Sequence, residues 1–157
     1  MHKTNNDLPE KTRRAVIEIL NARLAESIDL MHQAKQAHWN VTGPNFIALH
    51  KLFDEIVAAA EEYMDLVAER VAALGGIARG TVQAAAKHSG LAAYPAAITE
   101  ASEHLAALSS ALAAYAAGAR RVIDETDRLG DKVTADILTE IGRGADKYLW
   151  LLEAHLR

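Results

Sequence analysis

Five residues between Lys35 and Arg70 are of types that bind divalent metals: His38, His50, Asp54, Asp65 and Glu69. Mixed imidazole and carboxylate donors suit iron, manganese or zinc, and the stretch offers no soft sulfur ligand. Carboxylates stabilise a ferric product and can bridge two ions. Imidazoles hold a ferrous ion without adding charge. Either pair four residues apart, His50–Asp54 or Asp65–Glu69, is also what an ordinary solvated helix face carries. Only the five together, in one consistent geometry, argue for a metal centre. Glu61 and Glu62 lie nearby and are read as either solvating the same flank or adding weak metal binding.

The elements that must position these side chains follow from periodicity and breakers. A first helix is predicted from Asp7, with Glu10 as its capping-box partner and Pro9 in the first turn. Ile17, Leu20, Leu24, Ile28 and Met31 recur at helical spacing, and His38 continues or borders that stripe. "TGPN", Thr42 to Asn45, stops it. A second helix runs from Phe46 to Leu74 on a core stripe of Leu49, Phe53, Ile56, Ala60, Tyr63, Val67 and Val71, and Gly75-Gly76 ends it. A mixed stretch follows, with Pro95 expected to open a short helix. Third and fourth helices are predicted over Ala101–Asp127 and Lys132–His155, broken at Gly130.

Short turns make the first two helices antiparallel, and likewise the last two. The long connection between helices two and three lets those two run parallel. The expectation is all-α: a ferritin-like four-helix bundle with one long crossover carrying a short helix. One domain over 1–157 is expected, with a short tail at 1–8.

On the second helix, Asp54, Asp65 and Glu69 sit about 40°, 60° and 100° round from His50, at 100° per residue. The core stripe centres roughly 100° the other way. The candidate ligands therefore lie on a flank that faces away from the bundle core. His38, His50 and Asp54 are able to converge across the turn. Along the axis, however, His50 and Glu69 are roughly 28 Å apart, and Asp54 and Asp65 about 16 Å. No single centre spans that distance. A second copy packed antiparallel on this flank removes the conflict, because a two-fold axis sets Asp65 and Glu69 of one chain opposite His38, His50 and Asp54 of the other.

Composition narrows the function classes. The chain has 157 residues, no cysteine and only three prolines. Disulfides, thiolate metal sites and cysteine nucleophiles are excluded, and the lack of cysteine fits the cytosol. The N-terminal "MHKTNNDLPEKTRR" has no apolar signal region, and no apolar run is long enough to span a bilayer. The formal net charge of −4 opposes nucleic-acid binding by the whole surface. Trp39 and Trp150 are read as packing residues.

The stretch resembles a known family. "KQAHWNVTGPNF", "LHKLFDE" and "DLVAER" are similar to the signature of Dps, the DNA-binding protein from starved cells, a mini-ferritin. The order H-x11-H-x3-D-x10-D-x3-E matches its ferroxidase pattern in full. The similarity continues through "ALGG", "YP" and "TADILTEIGRGADKYLWLLEAHL", over nearly the whole chain. It departs from ordinary ferritins, which place Glu-x-x-His ligands within one bundle; this chain has no Glu-x-x-His.

The resemblance implies hollow dodecamers with ferroxidase centres at dimer interfaces. Iron is oxidised from Fe(II) to Fe(III) there, preferentially by hydrogen peroxide, and mineral collects inside. Carried over, His38, His50 and Asp54 serve from one subunit and Asp65 and Glu69 from its mate. Asp131, Asp136 and Glu140 match the acidic pores that admit iron, and equally suit helix N-terminal charges favoured by the macrodipole. DNA-binding members often carry a lysine-rich tail. Here only His2 and Lys3 precede the predicted helix, so weak DNA binding is expected. The alternative is a nucleoid-architectural protein whose metal binding is secondary.

Overall fold

A computed structural model describes all 157 residues. Its helices are α1 (Glu10–Asn40), α2 (Phe46–Ala73), α3 (Val82–His88), α4 (Ala101–Arg128) and α5 (Lys132–Ala154), with no strands. α1 packs along α2, and α4 along α5, while α1 also meets α4 and α2 meets α5. Thr42, just before α2, forms an isolated parallel bridge with Glu100, just before α4. Both helices therefore start at the same end of the bundle and run parallel, as a long crossover requires.

The stripe that predicted α2 is its buried face. Leu49, Phe53, Ile56, Ala60, Tyr63, Val67 and Val71 all lie in the core, against Leu20, Leu24 and Ile28 of α1 and Leu108, Leu112 and Tyr115 of α4. Each large apolar side chain so buried contributes about 1.5–3 kcal/mol. That burial fixes the rotation of α2 and turns His50, Asp54, Asp65 and Glu69 off the core.

Three details differ from the sequence expectations. The short helix in the crossover is α3, not a helix opened by Pro95. Thr81 caps it, its Oγ1 accepting from the Ala84 N–H at 3.2 Å, and three alanines in a row favour it. Beyond Pro95 the chain makes only a turn and stays extended, because Thr99 and Glu100 pair with Thr42.

The Asp7–Glu10 capping box is absent. Pro9 holds the cap position without a side-chain cap, and Glu10 instead accepts from Arg14 Nε at 2.9 Å. The tail folds back: the His2 N–H donates to Gly75 O at 2.9 Å, and Arg13 donates to Leu8 O and Leu74 O at 3.1 and 3.0 Å. Gly75 has φ +86°, and a Cβ there would stand 2.9 Å from His2 O, so glycine is needed both for the turn and for the tail.

Trp39 and Trp150 are 66% and 59% exposed, so neither packs within its own chain. Both fall on outward faces of their helices.

Candidate metal centre

The end of a helix leaves its last carbonyls without helical partners. At the end of α1 one of them meets a histidine. His50 Nδ1 lies 2.8 Å from His38 O, and His38 Nδ1 lies 2.7 Å from His50 O. A carbonyl only accepts, so each Nδ1 carries the proton. In its neutral form a ring so held presents its Nε2 lone pair, the form that binds metal. The rings stack at 3.7 Å and 21°, with Phe46 beside His50 at 5.1 Å. The carbonyl bonds thus set both tautomer and ring direction before any ion arrives.

Asp54 is close but engaged elsewhere. Its Oδ1 lies 3.8 Å from His38 Nδ1 and 2.6 Å from Lys35 Nζ. The Lys35 hydrogen bond holds the Asp54 carboxyl below the usual range, and His38 and His50 lower it further. Lys35 is a participant that the sequence reading passed over. Its signal was its position three residues before His38, which places it on the same face of α1.

Asp65 and Glu69 lie exposed farther along α2. No group of three or more metal-capable side chains converges within the chain. The structure therefore joins His38 to His50 and leaves Asp54 beside them on Lys35, short of the three-residue convergence expected across the turn. It does not bring Asp65 and Glu69 to them.

Known proteins share this arrangement of sequence and fold. The ferritin-like domain family matches residues 17–157. The chain is 47% identical to a DNA protection during starvation protein of Agrobacterium fabrum, over 99% of this chain and 96% of that one. A solved Dps of Mycobacterium smegmatis superposes with TM-score 0.94 at 33% identity, covering 99% of this chain and 95% of that chain. A Dps from Microbacterium arborescens, solved in a high iron form, gives 0.89 at 35% identity and 99% of each chain. The chain belongs to the Dps family of ferritin-like proteins.

The acidic residues matched to Dps pores separate in the structure. Asp131 is 1% exposed within the chain. It caps α5, accepting from the Thr134 N–H at 3.0 Å, and pairs with Arg70 Nη2 at 2.8 Å. Arg70 also donates to Thr134 Oγ1 at 2.9 Å. Burial makes Asp131 a fastener between the end of α2 and the start of α5, which is the helix-cap alternative for this residue. Asp136 and Glu140 are exposed on α5. Sequence reasoning missed the Arg70 contact, since 61 residues separate the partners.

Proposed function

We propose that this Dps-family chain oxidises Fe(II) at sites shared between two copies and stores the ferric product in a dodecameric shell in the cytoplasm. The observation that carries this reading is the His38–His50 pair. Both rings are locked with Nε2 lone pairs available, on the same flank of α2 as Asp54, Asp65 and Glu69. Half a ligand set is ready at one end of that flank and two free carboxylates stand at the other. Antiparallel packing of a second copy brings each half to its complement.

Ferrous ion is the substrate. The imidazoles hold it without adding charge, and Asp54, Asp65 and Glu69 stabilise the ferric product. Peroxide takes two electrons from two ferrous ions and, with two protons, leaves as two waters. Iron and peroxide are thus consumed together, which protects nearby DNA. The ferritin-like family match and a relative solved in a high iron form support the reading.

Architectural DNA binding is the weaker reading. The net charge is −4, and the residues preceding α1 are bonded to the end of α2. The deciding experiment is stopped-flow ferrous oxidation on protein of measured oligomeric mass, with peroxide and with oxygen. Faster turnover with peroxide, at two irons per peroxide, is expected. Oxidation no faster than in buffer overturns the proposal.

A further inference from the structure

Three segments converge on one ring, that of His104, and two of them carry the histidine half of the site. It lies in the first turn of α4 and is fully buried. Tyr94, from the crossover, places its hydroxyl 2.5 Å from His104 Nδ1. Phe53, the neighbour of Asp54 and three residues past His50, packs 6.5 Å away at 56°. The backbone of Asn40, two residues after His38, lies beside the ring and stabilises its charged form. Next to this cluster the crossover is tied to the turn before α2. Thr42 donates to Thr99 O from both its N–H and its Oγ1, at 3.2 and 3.1 Å.

Apolar packing does not account for an imidazole here. A leucine fills similar space without burying a polar nitrogen, and His104 Nε2 completes no hydrogen bond of ordinary geometry. Burial lowers the basicity of the His104 ring, against the opposing effects of Asn40 and Glu103, and burial pushes the Tyr94 hydroxyl up. Both shifts favour a neutral pair in which the Tyr94 hydroxyl donates to Nδ1. The ring proton is then on Nε2, the side left for the Asn40 backbone at the end of α1. His50 already serves the His38 carbonyl at that helix end.

We propose that His104, held by Tyr94, is a positioning residue of the metal centre: it fixes the end of α1 and the α1–α2 turn, and through them the reciprocal His38–His50 contact. This rests on the site reading given above. His104 touches no ion; it acts through Asn40 and Phe53 on the segments that bear the ligands.

The test uses the assembled protein and Co(II), which is not oxidised during the titration. Binding is followed by visible absorption in wild type, Tyr94→Phe, His104→Leu, His50→Ala and Ser89→Ala. Ser89 ties the crossover to Asp29 away from His104 and controls for general loosening of that segment. Tyr94→Phe and His104→Leu should weaken Co(II) binding about tenfold and change its spectrum, at unchanged assembly mass, as loss of support around a ligand does. Ser89→Ala should bind as wild type. The KM for Fe(II) should rise in the first two variants with little change in kcat.

Should His104→Leu fail to fold, Tyr94→Phe decides, since it keeps the ring and removes only the hydroxyl. Wild-type Co(II) affinity and spectrum in Tyr94→Phe, with binding lost in His50→Ala, overturn this inference alone. Undiminished binding in His50→Ala overturns the site itself, and the inference with it.

Discussion

His38 and His50 are each oriented by the other's backbone carbonyl, so in the proposed centre each residue is both a ligand and, through its carbonyl, a support for its neighbour. Removing one ring removes a proposed ligand and the 3.7 Å stacking contact, while the backbone carbonyl that orients the other ring stays. His50→Ala is expected to slow ferrous oxidation by at least about tenfold. Asp54→Ala should slow it as well, because the carboxylate paired with Lys35 is the one nearest the histidines. Neither side chain supports the bundle core, so the oligomeric mass should not change in either variant. Mass measurement paired with stopped-flow rates checks this, and wild-type rates in both variants would remove these residues from the site. The types and order of the five residues were legible in the sequence. The carbonyl bonds that set the tautomers were not, because they depend on how closely α1 and α2 approach at the turn.

At the scale of elements, each end of α2 is fastened to a different part of the chain. The end with His50 and Asp54 meets the crossover and α4 through Phe53 and His104. The end with Asp65 and Glu69 is tied to α5 by Arg70, which shares Asp131 and Thr134 with the cap of that helix. Asp131→Ala removes the cap and leaves the largely buried Arg70 guanidinium without its counter-ion. A loss of about 3–5 kcal/mol is expected, as for other broken buried pairs. Denaturant unfolding measures it, and a change below about 1 kcal/mol, the scale of a cap alone, would show the pair contributes little. The long helices were legible because their apolar stripes repeat at a helical period over many turns, as Leu49 to Val71 show. The crossover was not. A short helix rests on one cap and a few alanines, so it formed at Thr81 and Ala84–Ala86 rather than at the opening expected from Pro95. The role of Asp131 was also hidden, since its partner lies on a distant helix.

On the scale of the whole molecule, charge and assembly decide what the protein meets. In the proposed dodecamer, twelve chains at −4 each would carry about −48, which repels phosphate at long range. Residues that would form a free basic arm are held instead, with His2 on Gly75 and Arg13 spanning Leu8 and Leu74. DNA binding is expected to be weak at about 150 mM salt and steeply salt-dependent wherever it occurs. A sequence-independent gel shift at low protein concentration in that salt would show otherwise.

The central claim is that each metal centre is completed by two chains, and mixing inactive variants tests it most directly. His38→Ala/His50→Ala and Asp65→Ala/Glu69→Ala are unfolded together in equal amounts and reassembled, with each variant reassembled alone as a control. Half the dimers are then mixed, and two-fold exchange gives each of them one intact site, so about a quarter of wild-type ferrous oxidation should return. The separate controls should stay inactive. If mass measurement confirms mixed particles and oxidation does not return, the two-chain centre is contradicted.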